Sequence, residues 1–172
     1  YDDEEHRRKI SIYSSVIPIE HRDHKINIID APGYTDFVGE IISALSVADG
    51  AVILVDAVSG IEVGTELAWR YADEFNLPRF FVINKMDRDN ANFEATYDAI
   101  EEFVKAHGKR AIKVHLPIGE KQNFKGVVEI IGMKSYMGDG NTTADIPAEL
   151  KEAAEAAHFA MVEAAAEGED EL

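Results

Sequence analysis

The stretch IIDAPGYTDF, Ile28 to Phe37, decides how the rest of the chain is read. A short apolar run ends in a carboxylate, Asp30. Pro32 and Gly33 then turn the chain. Thr35 and Asp36 suit the first turn of a helix, by capping and by placing negative charge at the positive end of its dipole. A carboxylate at a strand end can hold a magnesium ion through water. A glycine such as Gly33 exposes its backbone N–H with no side chain in the way, which suits a phosphate oxygen. The plain alternative is a strand end followed by a turn that caps the next helix. D-x-x-G alone does not choose between them.

Three apolar runs read as strands: INIID (26–30), AVILVD (51–56) and RFFVIN (79–84). They are nearly continuous rather than alternating, the pattern of a parallel sheet with helices on both faces. Helical stripes lie between them. Phe37, Ile41 and Leu45, with Val38 and Ile42, form one. Leu67, Tyr71 and Phe75, with Ala68 and Ala72, form the next. Strand and helix in alternation predict an α/β chain with a doubly wound sheet. ISIYSSVIPIE (10–20) reads as an earlier, more exposed strand, turned by HRDHK into an antiparallel hairpin with Ile26 onward.

The pattern changes after Asp87. Phe93, Tyr97, Ile100 and Val104 predict a helix ended by Gly108. AIKVHLPIG and FKGVVEIIGMKSYM predict two or three short strands around the turn GEKQN. Pro147 suits the first position of a last helix, whose apolar face is Leu150, Ala154, Ala157, Met161 and Ala165. Trp69 reads as core, and Met133 and Met137 as filling of an irregular second core.

Composition bounds the function. The 172 residues are 46% hydrophobic, enough for a real core. No apolar run reaches the roughly 18 residues that span a bilayer, and the charged opening residues give no expectation of a secretory leader. Cysteine is absent, which excludes disulfides and thiol chemistry and suits a reducing compartment. Acidic residues outnumber basic ones 33 to 17, for a net charge of -16. That argues against broad electrostatic binding to nucleic acid. EEHRRK near the start is mixed in charge. EAAAEGEDEL at the end reads as a solvated helix end or tail. The six histidines give no ligand cluster; His21 and His24 are close but lack a third partner at metal-site spacing. The chain begins at Tyr1 rather than methionine, and is expected to be part of something longer.

NKMD, Asn84 to Asp87, closes the third strand. A carboxylate edge-on to a purine accepts two hydrogen bonds from guanine. Adenine presents an acceptor and no amine there. A site built for hydrogen bonds discriminates by around 10⁴ or more, because the wrong ligand leaves polar groups unpaired. Asn84 can brace the loop, and the methylene stem of Lys85 can cover the base face. The alternative is a polar loop with Asp87 an ordinary surface acid.

Both loops end different strands, in order, two strand-helix units apart. Residues 26–88, from INIIDAPGYTDF through RFFVINKMDR, resemble the GTP-binding domain of a translational GTPase, most closely bacterial elongation factor G and its paralogues. FKGVVEIIGMKSYM and residues 146–172 resemble the subdomain inserted in that factor's domain. Peptide release factor 3 and the tetracycline-resistance ribosome-protection proteins are related alternatives. The resemblance implies an incomplete P-loop NTPase-type sheet over residues 1–107 and a small inserted α+β subdomain over 108–172. It implies a cytoplasmic GTP hydrolase that works on the ribosome, with GTP or GDP and Mg2+ as cofactors. Asp30 would act on magnesium through water, and the Gly33 N–H would contact the terminal phosphate. Asn84, Lys85 and Asp87 would read guanine.

Two departures from the family pattern stand out. Where the family carries a water-positioning histidine, this chain has Tyr34. A phenol is neutral near pH 7, holds its oxygen farther from the backbone and cannot act as an imidazolium. A ribosome-binding or regulatory paralogue with little GTP turnover is therefore the alternative reading. The second departure is that G-x-x-x-x-G-K-[ST] occurs nowhere; Gly108-Lys109 is followed by Arg110. Without the strand that leads into that phosphate loop, INIID and AVILVD would expose open edges. A displaced hairpin or a swapped homodimer is expected, with GTP hydrolysis absent and nucleotide binding weak in the chain alone.

Overall fold

The structure is a computed structural model that describes residues 2–138 and 140–169. It is of the expected α/β class. The backbone divides into two compact units, Tyr1–Val55 with Ile61–Val82, and Asp56–Gly60 with Ile83–Leu172.

The first unit opens with a short helix, α1 (Asp3–Arg8), in the stretch read only as mixed charge. Asp2 caps it, and the Asp2 N–H reaches back to the Glu5 carboxylate at 2.9 Å, a capping box. Glu5 also accepts N–H bonds from Ile12 at 2.8 Å and Tyr13 at 3.1 Å. These backbone donors, Ile12 first, hold its carboxyl down at about 2. Ser14 is taken the same way by Glu40, at 2.7 Å. This corrects the strand expected over 10–20. Residues 12–14 give their N–H groups to carboxylates rather than to a neighbouring strand, so pairing begins at Ser15.

From there β1 (Ser15–His21) and β2 (His24–Asp30) form the expected antiparallel hairpin, in register from Ser15↔Asp30 to His21↔His24. Arg22 and Asp23 turn it with φ of 47° and 63°, the positive values that a tight two-residue hairpin loop requires. A 3-10 turn (Thr35–Phe37) leads into α2 (Val38–Leu45). Then come β3 (Ala51–Asp56), α3 (Val63–Glu74) and β4 (Arg79–Asn84), both strands with the bounds expected. Ala51 N–H donates to Pro78 O and Ala57 N–H to Asn84 O, each at 2.9 Å. Both bonds join residues 27 apart, so the strands run parallel with α3 as their crossover.

Ala51, Ile53 and Val55 of β3 are buried, as are Ile41 and Ala44 of α2 and Trp69 and Ala72 of α3. The Trp69 ring stacks on Phe81 of β4 at 5.6 Å, with the Arg79 guanidinium 4.2 Å from its centre. Trp69 is thus core, as expected. The alternate residues Val52, Leu54, Phe80 and Val82 are exposed in this chain. β1–β2 and β3–β4 form separate two-stranded sheets.

In the second unit, α4 (Phe93–Ala106) carries the expected stripe and ends beside Gly108, whose φ is 70°. β5 (His115–Ile118), β6 (Gly126–Glu129), β7 (Lys134–Met137) and β8 (Thr142–Ala144) form an antiparallel sheet in that order. The fourth strand exceeds the two or three expected. It is an exposed edge of Thr-Thr-Ala, with no apolar pattern to mark it. Pro147 caps a 3-10 turn (Ala148–Leu150) rather than opening the long helix α5 (Lys151–Glu169). Leu116, Ile118, Val128, Ile130 and Ala154 make the buried core, with Met133, Met137, Leu150, Ala157 and Met161 packed around it. Of the acidic end, 170–172 lie outside the described residues.

Candidate functional site

The D-x-P-G loop belongs to the first unit. β2 delivers Asp30 to solvent at its last residue. Pro32 is fully buried and pins the turn. Gly33 beyond it is exposed, and a Cβ there would meet nothing within 4 Å. Packing inside the chain therefore does not demand glycine at 33. Tyr34 ends the extended segment, with φ −80° and ψ 136°, and its carbonyl accepts Phe37 N–H at 3.0 Å. The Tyr34 side chain is 58% exposed. A Cβ on Gly64, in the first turn of α3, would lie 3.4 Å from the Gly33 carbonyl, so this helix start runs close beside the loop.

The N-K-M-D loop belongs to the second unit. The Asn84 carboxamide oxygen accepts the Lys85 N–H at 2.8 Å, so Asn84 folds back on its own turn. Lys85 has φ 61°, left-handed and unusual for a non-glycine residue. Arg88 N–H closes the turn on Lys85 O at 3.2 Å. Met86 points inward, 7% exposed, and packs with Ala57 and Ala91. Asp87 is left exposed. It lines an open cleft of about 530 Å³ with Val58, Arg88, Asp89, Asn90 and Gln122.

One residue of this site was not singled out from the sequence. Asp56 accepts the Lys85 ammonium at 2.7 Å, the Arg88 guanidinium at 3.2 Å and the Val58 N–H at 2.9 Å. Its side chain is only 12% exposed. Anchoring the ammonium fixes the direction of the Lys85 methylene stem. The signal was present as a strand-ending carboxylate, the same feature that drew attention to Asp30. Its partners, 29 and 32 residues away, were not legible.

The Lys85 hydrogen bond, then the Val58 N–H and the two cationic charges, hold the Asp56 carboxyl at about 2, below its ordinary 3.8. A carboxyl depressed on folding stabilises the chain fully above the unfolded value. That contribution falls away as pH drops through the folded value. Acidification through about pH 2 is therefore expected to release Lys85 and Arg88 together. Carboxyl-detected NMR should show one transition near 2 for Asp56, and Asp56→Asn should remove it.

Among the described residues, no group of three or more His, Asp or Glu side chains is arranged to hold a metal. Nor is any helix long and apolar enough to cross a membrane. His24 is occupied locally, its Nδ1 lying 2.7 Å from Arg22 O.

The family model described as the elongation factor Tu GTP binding domain matches residues 1–167. The chain belongs to the elongation factor Tu GTP-binding domain family. A crystal structure of a protein from Thermus thermophilus is similar over 95% of this chain, at 32% identity and a TM-score of 0.82. The match covers 24% of that chain. Guanine nucleotide is the ligand class of a GTP-binding family.

Proposed function

We propose that this chain is the nucleotide-reading part of a translation elongation factor of the translocation type, related to elongation factor G, which hydrolyses GTP on the ribosome in the cytoplasm. Residues 1–107 form a partial GTP-binding domain and 108–172 its inserted subdomain. The observation that carries this reading is the N-K-M-D loop. Asn84 and Asp56 hold its backbone turn and its lysine, while Asp87 stays exposed on the wall of a cleft. Such a loop is preorganised to recognise the edge of a base.

Asp87 accepts the two N–H groups of guanine, and the Lys85 stem lies against the ring. In the other loop, Gly33 presents a backbone N–H to the terminal phosphate. Magnesium is commonly held by one or two carboxylates together with substrate phosphates. A single exposed carboxylate at a strand end, Asp30, fits that donor set. The ion would neutralise phosphate charge. Tyr34 orients water beside Gly33.

Tyr34, in place of the water-positioning histidine of the family it resembles, also favours a second reading, a ribosome-binding or regulatory paralogue with little GTP turnover. Ribosome-stimulated GTP hydrolysis by the full-length parent separates the two. The first reading expects turnover there and none from this chain alone, because positioning of the phosphates supplies most of the catalysis. Turnover by the isolated chain that disappears in Asp30→Ala would contradict it. The isolated chain is further proposed to form a swapped homodimer through the open edges of β2 and β3, which lie in separate two-stranded sheets. Sedimentation that stays monomeric at all concentrations would exclude this.

A further inference from the structure

A second turn reaches the N-K-M-D loop from a distant part of the sequence. It runs from Gly119 to Phe124, between β5 and β6. Gly119 has φ 76°, and a Cβ there would overlap the Asn123 carbonyl oxygen. Lys121 is left-handed as well, with φ 55°. The turn is closed by Asn123 N–H to Glu120 O at 2.9 Å and Phe124 N–H to Lys121 O at 3.1 Å. It is tied to β5 by Lys125 N–H to Ile118 O at 2.8 Å. This unusual backbone aims one donor outward: Lys121 N–H meets the Met86 carbonyl at 3.0 Å. Beside it, the Gln122 amide donates to Asp89 Oδ1 at 3.3 Å, and Gln122 lines the same cleft as Asp87.

The Met86 carbonyl belongs to the planar peptide unit that ends at the Cα of Asp87. Fixing its oxygen therefore fixes where the Asp87 side chain starts. Hydrogen bonds weaken steeply as they bend, so a carboxylate that must accept two N–H groups of one base depends on that aim. We propose that the Gly119–Phe124 turn is a positioning and selectivity element for the base-reading loop, with Lys121 N–H setting the Met86–Asp87 peptide and Gln122 forming one wall of the base cleft. This rests on the reading of Asp87 as the guanine acceptor.

The test uses the full-length protein carrying Gly119→Ala or Gln122→Ala. Hydrogen exchange is followed at the amides of Lys85 to Arg88. Affinities are measured for GDP, for IDP, which lacks the exocyclic amine, and for pyrophosphate. Gly119→Ala is expected to speed exchange in the loop and to cut the GDP-over-IDP preference by about tenfold, the order of one misplaced hydrogen bond. Pyrophosphate affinity should be unchanged. Gln122→Ala should give a smaller loss in the same direction, and carries the test if Gly119→Ala fails to fold. Faster exchange with an unaltered preference would make the turn merely structural and overturn the proposal, as would no change in either measurement. A wild-type protein that does not prefer GDP to IDP would instead refute the role of Asp87, while exchange still reports on the brace.

Discussion

An Asp87→Asn protein is expected to prefer xanthine to guanine nucleotides. Guanine presents an N–H and an exocyclic amine to the carboxylate. Xanthine has a carbonyl oxygen in place of the amine, and the amide of asparagine can donate to it while still accepting from the ring N–H. The reversal should be large, since each mismatched pairing leaves a polar group without a partner. A change on the order of 10³-fold in the GDP-to-XDP affinity ratio of the full-length parent is expected. It falls short of the strongest known discriminations because Asp87 is exposed rather than sealed in. The substitution removes no core contact, so thermal stability should hold. Competition calorimetry measures both affinities. Equal losses for GDP and XDP would show that Asp87 supports the loop without reading the base.

On the proposed function, Tyr34→His in a full-length protein that carries this domain is expected to raise ribosome-stimulated hydrolysis by up to about 100-fold, the scale on which misplacement of a reacting group is felt. Tyr34 stands directly after Gly33, with its side chain 58% exposed and its backbone set by the Phe37 N–H bond to its carbonyl. A histidine there inherits the same backbone and carries a nitrogen closer in. Water positioning acts in the transition state, so the gain should appear in kcat with nucleotide affinity nearly constant. Altered affinity with constant kcat would make Tyr34 a packing residue.

The sequence made some elements legible because their determinants are local. β3 and β4 were bounded to the residue, since each is an apolar run closed by a polar strand end. α4 showed its stripe and its terminating glycine. Where partners are distant, reading failed. Residues 12–14 look like strand, yet Glu5 and Glu40 take their N–H groups. α1 depends on a capping box hidden in a run of charges. β8 has no apolar period because it is an exposed edge. In the candidate site, Asn84, Lys85 and Asp87 share a four-residue motif and so were visible. Asp56 and the Gly119–Phe124 turn were not, because what they do rests on bonds to residues 29 and more positions away. The near-continuous apolar runs suggested strands covered on both faces. In this chain, Val52, Leu54, Phe80 and Val82 face solvent.

The central claim is that residues Asn84 to Asp87 read a guanine base. The direct measurement is a titration of the isotopically labelled chain with GDP and, separately, with ADP, following backbone amide shifts. Binding by the chain alone should be weak, so saturating nucleotide is needed. GDP is expected to move the amides of Lys85 to Arg88 and of Gln122 along the cleft, while ADP at the same concentration leaves them in place. Equal perturbation by both nucleotides, or GDP shifts confined to residues outside 84–89, would contradict the account.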